Sequence, residues 1–167
     1  MTKNLMAVIS AVLFVALLAF VVRAWRSKAQ AQASEMSQPN EALEYFGELL
    51  TAAKGFYVAT TFANNHLDRI AAYGLGPRGV AQVMVFTEGL LIVRTGESPL
   101  AIDRSQISSV TLGQTAIDKA VEPGGLLQVN WSQGSTDLTT HLRITDLALR
   151  SSLIEAISNI TMKEGSK

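Results

Sequence analysis

Few side chains in this sequence carry strong chemistry, and their spacing argues against a catalytic centre. There is no cysteine, and the two histidines, His66 and His141, stand 75 positions apart. A zinc site needs clustered thiolates or imidazoles, so no metal-ligand set is read here. His66 lies beside Leu67 and Asp68, a spacing at which an imidazole and a carboxylate form half of an acid–base pair; Asp68 serves equally well as the cap of a helical turn. His141 alternates with Leu142 along an expected strand, which points it to solvent. The glycine-rich run Gly74-Leu75-Gly76-Pro77-Arg78-Gly79 lacks the Lys-Ser/Thr of a phosphate loop and precedes a strand rather than a helix, so it reads as a turn. No Gly-x-Ser-x-Gly elbow exposes a nucleophilic serine. The sequence therefore assigns no catalytic, cofactor-binding or metal-binding residue, and the chain reads as a non-enzyme that needs no cofactor.

The elements around these residues begin with an apolar helix. From Asn4 to Val22 there is no charged residue, and Ser10 is the only polar side chain between Leu5 and Val22. Nineteen residues at about 1.5 Å each span roughly 28 Å, close to the ~30 Å of a hydrocarbon core. A helix on the surface of a soluble domain would carry a polar stripe, so residues 5–22 are expected to contact a lipid bilayer. The flank Arg23, Trp25, Arg26 and Lys28 suits the headgroup layer. A cleavable leader is the rival, with Ala29–Ala33 as the small-residue site, but the apolar run exceeds the usual ~7–15 residues and three basic residues intervene. Three basic side chains after the span, against Lys3 and the α-amino group before it, favour a cytoplasmic C-terminal domain at the plasma membrane.

Residues 27–40 (SKAQAQASEMSQPN) show no apolar period and are expected to be a tether, unless the first part prolongs the helix. Residues 41–54 place Leu43, Phe46, Leu49, Leu50 and Ala53 at helical spacing, a short amphipathic element. Beyond residue 40 lie ten of the 14 Lys and Arg and thirteen of the 14 Asp and Glu, a formal charge of −3. That balance excludes a nucleic-acid binder, because nothing would neutralise a row of phosphates.

Strands then follow at short intervals: 55–62, 80–87, 90–94, 99–103, 106–112, 126–132 and 137–144. The excursion 63–78 between the first two is long for a hairpin loop, with a helical turn expected around Leu67–Ala72. Val83 and Val85 alternate with Met84 and Phe86; Leu127, Val129 and Trp131 alternate with Gln128 and Asn130. After Asp146, an N-cap, Leu149, Leu153, Ile157 and Ile160 recur at helical spacing. The expected fold is mainly β (α+β): an anchor over 1–26, then a seven-strand antiparallel barrel over 55–160 closed by one C-terminal helix, with 161–167 a disordered tail.

This pattern resembles the pleckstrin-homology (PH)-like barrel. More narrowly, Tyr57-Val58-Ala59-Thr60-Thr61, Leu67-Asp68-Arg69-Ile70, Gly74-Leu75-Gly76-Pro77-Arg78, Arg94-Thr95-Gly96, Leu100-Ala101-Ile102 and Trp131 resemble a family of small actinobacterial single-pass membrane proteins with a bacterial PH-like domain behind one helix. The resemblance implies membrane, export or transporter-like roles and brings no catalytic residues. It also raises phosphoinositide binding, for which the first long loop offers only Arg69, Arg78 and His66 against Asp68, too little for a multiply charged headgroup. The expected function is a membrane-anchored binding or scaffold module with a protein or peptide partner, probed through Asn64, Asn65, His66, Asp68, Arg69 and Arg78. The alternative is an accessory subunit of a transport or export complex, for which Ala7 and Ala11 permit close helix packing.

Overall fold

The computed structural model describes residues 2–113, 115–116, 119–120 and 125–162. Helix α1 runs Thr2–Glu35, 34 residues without a break. Its apolar side chains from Leu5 to Val22 are exposed on every side, and it is long and apolar enough to cross a membrane. The expected tether is largely absent: Lys28–Glu35 continue α1, since Ala, Gln and Lys are good helix formers and no Gly or Pro interrupts them before Pro39. The segment after α1 also folds onto the domain, with Met36 buried and Ala101 N donating to Asn40 O at 2.8 Å.

The helical spacing over 41–54 does not produce a helix. Strand β1 spans Leu49–Phe62, and the residues before it extend its ladder, Thr87 N donating to Glu48 O (3.0 Å) and Glu88 N to Phe46 O (3.2 Å). Gly47 adopts φ +76°, where a Cβ would overlap Thr87 Oγ1, and the Phe46 ring sits 4.9 Å from that of Phe86. A helix of about 14 residues is marginal by itself, so cross-strand pairing and aromatic packing override its period.

The remaining strands are β2 (Asn65–Arg69), β3 (Gly79–Phe86), β4 (Gly89–Arg94), β5 (Leu100–Asp103), β6 (Ile107–Gly113), β7 (Thr115–Ala116), β8 (Lys119–Ala120), β9 (Leu126–Gln133) and β10 (Thr136–Arg143). They form one antiparallel sheet in the order β5-β4-β3-β1-β10-β9-β6, with β2 pairing β1 and a separate β7-β8 pair. All seven expected strands are present; β2, β7 and β8 are additional, β2 replacing the expected helical turn. Strand β1 joins two halves, pairing β3 over Leu49–Tyr57 and β10 over Phe56–Phe62.

The sheet is open rather than a closed barrel. Strand β5 is four residues long, and its outer edge is taken by the Asn40–Ala101 bridge. The chain passes from β5 to β6 through a 3-10 turn at Arg104–Gln106, capped by Asp103, instead of pairing the two. Helix α2 (Leu147–Met162) packs across the sheet and buries Leu153, Ile157 and Ile160. Leu149 N donates to Asp146 Oδ1 at 3.0 Å, so the expected cap is formed. The expected stripe is narrower than its spacing suggested, since Leu149 stays 38 % exposed. Val83, Val85, Leu127, Val129 and Trp131 all face the core. Of the expected tail, Thr161 and Met162 belong to α2, and 163–167 lie outside the described residues.

Candidate functional site

The excursion 63–78 is built in three parts. Ala63 and Asn64 turn β1 into β2, whose tip is held by Leu67 N donating to Asn65 Oδ1 (3.2 Å). Asn64, Asn65, His66 and Leu67 are all exposed. The chain then folds back through Ile70, whose amide donates to Thr60 O at 2.9 Å, into a 3-10 turn at Ala72–Gly74. It leaves through Gly76-Pro77-Arg78, with Arg78 exposed.

The returning part is pinned from beneath. The Tyr57 hydroxyl lies 2.8 Å from both Thr60 Oγ1 and Leu75 O, and burial pushes its pKa up to about 12. The guanidinium of Arg94 stacks 4.5 Å above the Tyr57 ring and donates to Gly74 O at 2.6 Å and Ser98 O at 3.1 Å. Arg69 ties the excursion to β1, donating to Gly76 O (3.0 Å) and Val58 O (3.2 Å). These charge-assisted bonds hold a segment that has little regular structure of its own.

The upper face of the same segment receives α1. Gln32, 5 % exposed, donates to Arg69 O at 3.0 Å and accepts from Ala71 N at 2.6 Å. The Tyr73 hydroxyl lies 3.0 Å from Ala33 O and 3.2 Å from Met36 O, and Thr136 Oγ1 donates to Glu35 O at 3.1 Å. Carbonyls at a helix C-terminus lack intrahelical partners, and here residues of the β-domain satisfy them. Tyr73 does so from φ 53°, a conformation costly for a non-glycine residue and sustained by these contacts. Nearer the span, Lys28 pairs with Asp68 at 2.8 Å, and a Cβ placed on Gly76 would lie 3.4 Å from Trp25.

The structure therefore divides the six candidate interaction residues. Asp68 and Arg69 are engaged inside the molecule, Asp68 with Lys28 rather than with His66. Asn64, Asn65, His66 and Arg78 remain at the surface. Of the flank residues, Trp25 and Lys28 meet the domain, while Arg23 and Arg26 line a groove along α1 with Ser27 and Gln30. Arg69 fastens the loop to β1 through these bonds. Gln32, Tyr73 and Arg94 escaped the sequence reading, because a single Gln in a polar run or an Arg at a strand end carries no periodic signal.

His141 departs from expectation. It is 1 % exposed, with Nε2 3.1 Å from Thr61 Oγ1 and Nδ1 3.3 Å from Gln128 Nε2. Burial, and then the charge of His66, lower its pKa to about 4. Strand β10 lies between β1 and β9, so side chains of both neighbours cover even the residues that alternate away from the core.

A cavity of about 600 Å³ opens between the end of α2 and the β3–β4 turn, lined by Leu50, Thr87, Glu88, Arg104, Asn159 and Ile160 among others. Its charged residues, Arg104 and Glu88, lie 3.4 Å apart and neutralise each other. Among the described residues, no three His, Asp or Glu side chains gather where they could hold a metal ion.

A family described as bacterial PH domain-like matches residues 34–158. Among solved structures, a chain of the 8S snRNP assembly intermediate is similar at 11% identity, covering 75% of this chain and 89% of that one, with a TM-score of 0.49. A Vav1 chain inhibited by an allosteric inhibitor is similar at 11% identity, covering 85% and 35%, with a TM-score of 0.44. The apo activated truncation of Vav1 is similar at 10% identity, covering 81% and 33%, with a TM-score of 0.43. The match thus spans about a third of those Vav1 chains. No curated protein matches the sequence.

Proposed function

The chain belongs to the bacterial PH domain-like family, and from that premise we propose that it is a non-catalytic binding module carried on the cell membrane by α1. The supporting observation is the junction of helix and domain. Residues 5–22 expose apolar side chains on every side, while Gln32, Ala33 and Glu35 of the same helix are bonded to the PH-like sheet. Water would not leave such a span bare. The narrower likeness to single-pass members and the basic flank Arg23, Arg26 and Lys28 support the membrane reading, with the domain on the cytoplasmic side.

The surface offered to a protein or peptide partner is the β1–β2 tip. Leu67 is 59 % exposed there between His66 and the Lys28–Asp68 pair. The base of the excursion is already occupied by α1, so the exposed tip is the part left to meet a partner. The test is the triple variant Asn64→Ala, His66→Ala, Leu67→Ser in the full-length chain, purified from membranes. These residues support no part of the core, so the fold persists, and proteins recovered with the parent chain should be lost. An unchanged set of partners would refute this surface.

An accessory role in a transport or export complex is the second reading, favoured by the unpartnered span with Ala7 and Ala11 one turn apart. Replacing residues 1–22 by an unrelated apolar span separates the two. A binding module keeps its partners; an intramembrane subunit loses them.

A further inference from the structure

Because α1 is docked rather than tethered, its span sets the height of the domain above the bilayer. We propose that the Gly76-Pro77-Arg78 turn is a second membrane contact, seated in the phospholipid headgroup layer beside Trp25, where Arg78 joins Arg23 and Arg26 in meeting lipid phosphates. This rests on the reading of α1 as a membrane span.

Distances along the helix set the depth of the turn. Trp25 lies three residues beyond Val22, about 4.5 Å along the axis. The headgroup layer extends roughly 5–7 Å beyond the hydrocarbon on each side. Trp25 is therefore inside that layer, and its ring reaches within 3.4 Å of where a Cβ on Gly76 would stand. The same Cβ would stand 3.4 Å from Ala71 Cα, whose amide donates to Gln32, so Gly76 sits between the levels of Trp25 and Gln32; exposed Arg78, two residues on, has a side chain long enough to reach lipid phosphates from there. By contrast Glu35, bonded by Thr136, lies thirteen residues past Val22, about 20 Å out.

Charge and surface character agree. The domain is acidic as a whole, but Lys28 neutralises Asp68 on the side facing the span. The Glu97 carboxylate comes near Gly74, whose carbonyl accepts from Arg94. Arg78 at the turn, and Arg23 and Arg26 on α1, carry planar guanidinium groups that suit phosphate oxygens. Val80, two residues beyond Arg78, is 62 % exposed and pairs with half-exposed Phe56, a small apolar patch suited to the interface. The contact needs no headgroup-specific pocket; the chemistry is that of any phospholipid phosphate.

The absence of cysteine makes the test clean. The full-length chain carrying Arg78→Cys or, separately, Ser135→Cys is labelled with an environment-sensitive fluorophore and reconstituted into phosphatidylcholine vesicles. Some vesicles carry a quencher near the headgroups. The label at 78 should shift to the blue and be quenched, and the label at 135, next to Thr136, should do neither. Repeating the measurement with Gln32→Ala should weaken the quenching at 78 while the protein still floats with vesicles. Flotation with both labels in a water-like environment would overturn the second contact alone. Failure to float would overturn the membrane span and the contact with it.

Discussion

Gln32 is the buried side chain through which α1 bonds to the domain, and Gln32→Ala tests what it contributes to the junction. The side chain is 5 % exposed and completes two bonds, to Arg69 O and from Ala71 N. Alanine leaves the Ala71 amide of a residue only 7 % exposed without a partner. An orphaned buried donor costs about 1–3 kcal/mol, and loss of the second bond about 0.5–1.5 kcal/mol. The Arg69 carbonyl is half-buried and partly recovered by water, so the expected cost is about 2–3 kcal/mol. If that loss falls on local opening of the junction, exchange of the Ala71 amide accelerates about 30- to 150-fold. Hydrogen exchange read by mass spectrometry on the full chain in nanodiscs measures it, using peptides over residues 69–75. Ser34→Ala is the control, since Ser34 donates only to Ala31 O within α1. Exchange in Gln32→Ala equal to that of the parent and of Ser34→Ala would mean that these bonds do not hold the junction, and α1 would then not be docked through them.

Two further outcomes concern the core. His141 has its pKa lowered to about 4 in the fold against ~6.5 in an unfolded chain. The unfolded state then binds the extra proton, so stability is full above about pH 6.5 and falls as pH drops towards 4, by at most about 3 kcal/mol. Urea midpoints between pH 7 and 4 should show this slope, and His141→Gln should flatten it; an equal slope in both would refute the assignment. Ile157→Ala removes a fully buried side chain of α2 and should cost about 2–5 kcal/mol. Leu149→Ala, half-exposed on the same helix, should cost less than about 1 kcal/mol, so equal losses in thermal unfolding would contradict the packing described.

The apolar run from Leu5 to Val22, the alternation through Val83–Phe86 and Leu127–Trp131, and the cap and stripe of α2 were legible because each is a local pattern. A period of two or 3.6 records which face will be buried before any partner is known. That is enough for the element order, a PH-like β-domain and a helix apolar all round. Local patterns misled where two segments compete. The helical spacing of residues 41–54 lost to pairing with β3, and the polar run 27–40 became helix and packed segment because Tyr73, Thr136 and Gln133 complete its bonds.

Long-range contact created the features that only the tertiary structure decided. The burial of His141 depends on β1 and β9 lying on either side of β10, strands 80 and 13 positions away at the residues it touches. The division of the 63–78 excursion depends on Gln32 and Lys28, about 40 positions earlier, taking its base and leaving its tip. Hydrogen bonds between residues so far apart have no period, and a single Gln, Tyr or Arg carries no sign of the partner it will meet. The sequence alone determined that an apolar helix precedes a β-domain; the fold determined that the two are bonded directly, because the domain supplies the partners that the end of the helix lacks.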